Sequence, residues 1–390
     1  MKQTEIYDSA VIGGGVMGCT TALHLARGGM RVVLVERGGL CGEATGRCGG
    51  TLSLMYVPAI LVPYAIRGRE LWKDAPRWLG RDVGFNDRHG LDIAFTDADG
   101  ETLRAEMELR AAAGAPIEII DGNQARKIEP ALSKDIVAAA HCAQDGHALS
   151  YLSGVFFHRA LARAGVDIRV GTDVFGIEGG DRGFVLRTAK QSIRARRIVL
   201  AGGVWMRKMI GWFGLDVPII GRVTQETISE RMPPILASGV RVFRDISLKQ
   251  AANGTVLVGG GRGSRWIEDA DRETVELDPA VVNQVMMNAL GSARRAVPAL
   301  AVARAVRMWT GIEGIAPDNM PVIGPLPGTA DVFTIGCQRS GFTAGPFMGR
   351  LLADALLGRQ PEMPIFAPAF DPARLLSMAP VDRERGVPTV

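Results

Sequence analysis

The sequence predicts an α/β fold with an α+β second lobe: a Rossmann-like nucleotide-binding domain beside a substrate domain built on a β-sheet. Three observations carry this expectation. A G-x-G-x-x-G stretch, Gly13, Gly15 and Gly18, lies between an apolar run and an amphipathic one. A second apolar run, Arg31–Val35, follows and is closed by an acid, Glu36. From about Val217 to Arg307 the pattern changes to strand-like segments and one long helix. With 390 residues, 47% of them hydrophobic, the chain is long enough to bury a large core and to divide into two lobes.

In chain order, Tyr7–Ile12 reads as a strand, Val16–Arg27 as a helix with Cys19, Leu23 and Ala26 on one face, and Arg31–Val35 as a fully apolar strand. These make a βαβ unit. Helical signals follow over Arg67–Trp78 and Ala98–Ala113, the second stopped by Gly114 and Pro116. After a helical segment at Leu149–Ala164, short strands at Asp167–Val170, Val174–Glu178, Phe184–Thr188 and Arg197–Leu200 bring the chain back to the nucleotide domain. Thr255–Val258 and a helix around Pro279–Ala293 belong to the second lobe, and Asp331–Ile335 is the last strand, before a Gly-rich turn and a helix over Pro346–Leu357. The expected division is 1–85, 150–215 and 325–377 for the nucleotide domain, 86–149 and 216–324 for the substrate domain, and 378–390 for a loose tail or subunit contact.

Composition narrows the function. The net charge of +4 is spread along the chain with no block of like charges, which argues against a nucleic-acid or membrane arm and leaves anionic small molecules as ligands. Thr51–Ile66 is the most apolar stretch, but Pro58 and Pro63 interrupt it, and it is shorter than the ~20 residues a spanning helix needs. It is expected to be buried or to form a lip over a pocket. Cys19, Cys41, Cys48, Cys142 and Cys337 show neither metal-ligand spacing nor the density of a disulfide scaffold, and the five histidines form no ligand set, so no metal is expected. Polar residues Met1–Asp8 lead directly into a strand, leaving no room for a signal peptide, and a reducing cytoplasm is the expected compartment.

The glycines have separate tasks. Gly13 permits a tight turn, Gly15 lets a pyrophosphate approach the backbone, and Gly18 lets the helix pack on the strand, while the helix N-terminus offers free N–H groups to phosphate. Glu36 can accept hydrogen bonds from an adenosine ribose and would repel a 2′-phosphate, which favours FAD or NAD over NADP. The stretch Gly42-Glu43-Ala44-Thr45-Gly46-Arg47-Cys48-Gly49-Gly50 can wrap a second phosphate and a ribityl chain with backbone N–H groups, aided by Thr45. Enzymes that bind NAD alone rarely need such a loop.

With these motifs, four further segments recur in one family's order: Ile120-Asp121 to Glu129-Pro130-Ala131-Leu132, Val199 to Trp205, Pro317 to Gly324, and Gly336 to Thr343. Together they make the chain similar to the D-amino-acid oxidase superfamily, in its glycine and sarcosine oxidase branch. Leu52-Ser53-Leu54 and Ala344-Gly345-Pro346 most resemble opine oxidase B-type subunits and iminodiacetate oxidase. The resemblance implies FAD at the junction of the two lobes. It would be held by Gly13, Gly15, Val16, Met17, Gly18, Glu36 and Arg37, by Thr45, Gly46, Arg47, Cys48 and Gly49, by Val174, Ala201, Gly202 and Trp205, and by Arg339, Ser340, Gly341, Phe342 and Thr343. It also implies a helix N-terminus near Pro346 facing the flavin's pyrimidine end. Met308–Glu313, before the Pro-Asp segment, contains no cysteine where monomeric sarcosine oxidases carry their flavin tether, so non-covalent FAD is expected. Cys48 and Cys337 are the two thiols near the implied ring, and the other role open to both is packing against the cofactor.

The implied reaction is hydride transfer from the carbon beside nitrogen to flavin N5, leaving an imine that water hydrolyses to an oxo acid and an amine or ammonia. The cofactor does the difficult step, so no general base is assigned from the sequence. Catalytic candidates are Arg339, Glu313 and Tyr56. Arg339 suits bidentate recognition of a substrate carboxylate; Arg222, Arg262, Arg265 and Arg307 are alternatives. Glu313 stands where the family commonly carries an arginine, and either binds a substrate amine or hydroxyl or pairs with a nearby arginine. Tyr56 and Trp205 line the pocket or pack in the core. Leu257 aligns with a lysine that some sarcosine oxidases use toward oxygen, which leaves the electron acceptor open. Sarcosine, iminodiacetate, glycine and opines are the substrates to try, and the alternative reading is a flavin-bearing subunit that passes electrons to partner subunits.

Overall fold

The computed structural model describes residues 6–180, 183–260, 265–267 and 279–380. The chain opens with β1 (Ile6–Ile12), α1 (Val16–Arg27) and β2 (Val32–Val35), where the apolar end of β1 and the fully apolar β2 flank a helix capped by the second fingerprint glycine. A one-turn helix α2 (Ala44–Arg47) sits inside the glycine loop, and α3 (Val62–Lys73) and α4 (Ala75–Trp78) follow, two helices where the sequence predicts one. Leu52, Leu54, Met55 and Val57, in the segment before α3, are buried. Next come β3 (Asn86–Ala94), α5 (Asp97–Ala112), β4 (Ile117–Asp121), α6 (Gly122–Ile128) and β5 (Ala138–His147). Asp121 caps α6 by accepting from the Gln124 N–H while the Gln124 side chain accepts from the Asp121 N–H.

The path continues through α7 (Ser153–Arg163), β6 (Asp167–Arg169), β7 (Val174–Gly180), β8 (Gly183–Thr188), β9 (Ile193–Leu200) and α8 (Met206–Gly211). Strands β10 (Ile220–Arg231), β11 (Gly239–Val242), β12 (Ile246–Gln250), β13 (Thr255–Gly260) and β14 (Arg265–Ile267) precede α9 (Pro279–Ala296) and β15 (Ala305–Ile315). The chain closes with β16 (Val322–Pro325), β17 (Val332–Gly336) and α10 (Gly341–Leu356). The residues expected to form a tail are described only as far as 380.

Two sheets result. The first runs β16-β17-β9-β1-β2-β6, with the β7–β8 hairpin added at β9; β1 is parallel to both β2 and β9, as a βαβ connection requires. The second runs β14-β10-β13-β12-β11-β3-β5-β4, with β15 antiparallel along the other side of β10. Strand β16 pairs with β17 in the first sheet, so an expected boundary between 324 and 325 cuts through a strand. The chain crosses between the sheets before Val322 instead. Period two governs β10: Val223, Gln225 and Thr227 are buried on one face, while Arg222, Thr224 and Glu226 point to the other. The apolar face of this sheet, with Leu91, Val240 and Val258, packs on Ala289 and Ala293 of α9, which leaves the polar face turned toward the first sheet and the glycine loop.

Helix α10 corrects one expectation. It starts at Gly341, and Pro346 lies inside it. An internal proline leaves the carbonyl four residues earlier without its helical donor, and here that carbonyl, on Phe342, accepts from the Trp72 indole N–H at 2.6 Å. Trp72 also stacks on the Phe342 ring with centroids 4.6 Å apart. Trp72→Phe keeps a ring in the stack but leaves the Phe342 carbonyl orphaned, and is expected to cost about 1–3 kcal/mol. The check is a lower urea midpoint with an unchanged slope.

Candidate active site

The dinucleotide turn has the geometry its sequence predicts. Gly13 has φ +113°, which disfavours any residue with a side chain, and a Cβ on Gly18 would run into the Gly13 carbonyl oxygen. Gly15 is different: a Cβ there would meet only Thr45 Oγ1, at 3.5 Å, so this position faces open space. Glu36 closes the turn by accepting from the Gly14 N–H and the Gly38 N–H, each at 2.7 Å. A cavity of about 180 Å³ opens here, lined by Gly13, Gly15, Glu36, Arg37, Thr45, Val174, Ala201, Gly202 and Trp205. The Arg37 guanidinium lies 3.7 Å from the centre of the Trp205 ring, forming one wall.

Gly15, Thr45 and Ala201 also border a larger cavity of about 650 Å³. Val16, Met17, Gly18, Cys48 and Gly49 line one side, and Ser340, Gly341, Phe342 and Thr343 another. The loop into α10 holds Cys337 and Ser340 at φ +54° and +57°, left-handed conformations that cost non-glycine residues on the order of 1 kcal/mol and concentrate at functional sites. Two predicted residues lie outside both cavity walls. Gly46 packs against the Cys41 carbonyl, and Arg47 donates to Gly42 O at 3.0 Å and Thr310 O at 3.2 Å on the surface. Both thiols near the loops are neutral: burial pushes Cys48 and Cys337 up to about 12, and they donate to the Thr45 and Gly203 carbonyls.

The far wall of the larger cavity is charged. Arg222 and Glu313 face each other across β10 and β15 and form an ion pair, with Nε at 3.1 Å from Oε2, so the pairing alternative for Glu313 is the one the structure supports. Burial pushes the Glu313 carboxyl up, but Arg222 and then Arg339 outweigh it and hold it below the usual carboxylate range. Arg339 comes from the α10 loop; its guanidinium is 5.6 Å from the Tyr56 ring centre, and its Nε is buried with no hydrogen-bond partner among the described residues. Arg307 is exposed beside Trp309, Arg262 lies outside the described residues, and the Arg265 side chain is not described.

The sequence reading missed two residues on this wall. Arg241, on β11, stacks 3.4 Å from the centre of the Tyr56 ring and forms an ion pair with the fully buried Asp92 of β3 at 3.1 Å. Glu226, on β10, lines the cavity next to Gly49 and Gly259, and burial pushes its carboxyl up to about 7 against the opposing pull of Lys249. Lys249, on β12, donates to the Gly49 carbonyl, and its ammonium is lowered by burial to about 8. The alternation of β10 was the available signal, but polar residues on its cavity face hide it from a hydrophobicity pattern. Among the described residues no group of His, Cys, Asp and Glu can hold a metal ion, and no helix is long and apolar enough to cross a membrane.

The family model described as DAO, FAD dependent oxidoreductase, matches residues 8–355. The chain is 28% identical over 361 residues to a glycine oxidase of Geobacillus kaustophilus (strain HTA426), covering 90% of this chain and 93% of that one. It is 27% identical over 374 residues to the B-type subunit of an opine oxidase from Agrobacterium tumefaciens (strain Ach5), covering 91% and 94%. Among solved structures, a Geobacillus kaustophilus glycine oxidase superposes with a TM-score of 0.84 over 96% of this chain and 100% of that one, at 24% identity.

Proposed function

The chain belongs to the DAO family of FAD-dependent oxidoreductases, and from that membership we propose that it oxidises the C–N bond of a glycine-like or N-substituted amino acid. The products are an oxo acid and an amine or ammonia after the imine is hydrolysed. The observation that carries this reading is a continuous path from the dinucleotide turn to a wall bearing Arg339, Arg222 and Glu313. When bound, FAD supplies the two-electron acceptor.

The two cavities fit FAD. Gly15 leaves room where a pyrophosphate would meet the start of α1, Glu36 is placed for a ribose, and the first turn of α10 borders the larger cavity with its positive end. Protonated, hydrogen-bonded Cys48 and Cys337 agree with non-covalent attachment. Arg339 is assigned the substrate carboxylate, because its Nε lacks a partner among the described residues while Arg222 is committed to Glu313. Tyr56, between the Arg339 and Arg241 guanidiniums, fixes both.

A second reading, a chain that hands electrons to partner subunits, is favoured by the likeness to the B-type subunit of an opine oxidase. Cytoplasmic placement is the companion proposal, supported by five cysteines that are all free. The deciding experiment is an absorbance spectrum of the purified protein before and after anaerobic addition of sarcosine, iminodiacetate, glycine and an opine. Flavin bands bleached by one of them are the expected result. A protein that stays colourless after reconstitution with FAD overturns the reading, and co-purifying subunits select the second one.

A further inference from the structure

The oxidation proposed above consumes a neutral amine, whereas an amino acid at neutral pH carries an ammonium, so one proton must leave nitrogen first. The cavity contains a group placed to take it. Glu226 stands opposite Gly259 on β13 and Trp309 on β15, with Gly49 of the glycine loop beside it. A Cβ on residue 259 would come within 2.5 Å of Glu226 Oε2 and one on residue 49 within 3.2 Å of Oε1. The two glycines thus keep space around this carboxyl that any other residue would fill. Oε2 is sealed from solvent without a hydrogen-bond partner among the described residues. Lys249, the neighbouring cation, spends a hydrogen bond on the Gly49 carbonyl instead. Gly49 gives the carboxyl one backbone hydrogen bond, but Oε2 is left without a donor, and a buried acceptor without a donor on a group that lines the cavity calls for an explanation.

We propose that Glu226 is a catalytic residue that binds the substrate ammonium and accepts its proton before oxidation; the assignment rests on the function proposed above. The N–H bond breaks, its proton forms an O–H bond on one carboxylate oxygen, and the electron pair stays on nitrogen, so no electrons are transferred in this step. The charged and titratable groups facing Glu226 are Lys249 from β12, Cys48 from the glycine loop and Glu313 from β15; β13 contributes only Gly259 and Leu257 on this face. Of these, Lys249 keeps the carboxylate available, Glu313 makes it more basic, and Cys48 is a neutral thiol.

The test uses the FAD-loaded protein and 2-aminoisobutyrate, an amino acid with no hydrogen on the carbon to be oxidised. Proton release on binding is measured by calorimetry in buffers of different ionisation enthalpy. In the wild type at about pH 8 the proton moves from ligand to Glu226 and almost none reaches the buffer; at about pH 6 the carboxyl is already protonated and about one is released. Glu226→Gln releases about one proton at both values. Its rate of flavin reduction at saturating substrate falls by about 100-fold near neutral pH and recovers toward the pKa of the amine. Release of about one proton by the wild type at both pH values overturns the proposal, even if the variant fails to fold. So does a Glu226→Gln pH profile that matches the wild type. A rise in KM with unchanged reduction rate reduces Glu226 to a binding group and overturns the proton-transfer step. If no amino acid reduces the wild-type flavin, the proposed function fails first.

Discussion

Gly15→Val is expected to yield a folded protein that purifies without flavin, whereas Gly18→Val is expected not to fold. The two glycines are three positions apart in one fingerprint, but their surroundings differ. A side chain at Gly15 enters open space near Thr45 Oγ1, so the sheet and α1 can form around it, and the added methyls occupy the volume a pyrophosphate needs. At Gly18 the first carbon added would overlap the backbone oxygen of Gly13 and lie 3.0 Å from the Ala201 Cβ. Neither neighbour can move without separating α1 from β1, and overpacking at a backbone contact exceeds the ~1–3 kcal/mol typical of a core that can adjust. Far-ultraviolet circular dichroism and the flavin absorbance of each variant check this. Flavin bound normally by Gly15→Val would show that the cofactor does not use this turn.

Arg339→Met is expected to lower kcat/KM by about 30- to 5,000-fold with little loss of stability, and Arg222→Met to lower stability first. Removing a buried charged partner of a carboxylate costs about 2–5 kcal/mol. For Arg339 the partner we propose is the substrate, because its Nε has no protein acceptor among the described residues. For Arg222 the partner is Glu313, which is partly buried and keeps Arg339 as a second cation nearby, so its loss is expected to cost the fold about 1–3 kcal/mol. Steady-state kinetics alongside thermal melts separate the two outcomes. An Arg339→Met enzyme with normal kcat/KM removes this residue from substrate binding.

How far the sequence could be read follows from where the information lies. The βαβ unit was legible because a run of apolar residues and a glycine turn are local signals, and helix Val16–Arg27 has the predicted bounds. Strands β10 and β15 were not, since their cavity faces carry Arg222, Glu226, Trp309 and Glu313, and a strand with charges on an enclosed face looks like a loop. The Pro346 helix start failed for a related reason: proline normally marks a first turn, and the indole that lets it sit inside α10 comes from Trp72, 270 residues before the Phe342 carbonyl it satisfies. Arg339 and Glu313 could be singled out by family likeness. Arg241 and Glu226 needed the strand register, which brings Arg241 opposite Asp92 and Glu226 opposite Gly259.

The pairing of the first and last helices sets the order in which the protein can mature. Thr21 of α1 hydrogen-bonds to the Gly349 carbonyl of α10 across 328 residues, and β1 lies beside β9, which in turn lies beside β17. The turn that greets the cofactor therefore leaves the ribosome about 328 residues ahead of the helix that braces it. Contacts of such long sequence separation form slowly and leave apolar surface open meanwhile. FAD can bind tightly only after that closure, and by binding the closed form it withdraws the chain from unfolding and aggregation. Cells short of flavin should consequently lose this protein as well as its activity, so that its abundance follows the supply of its own cofactor.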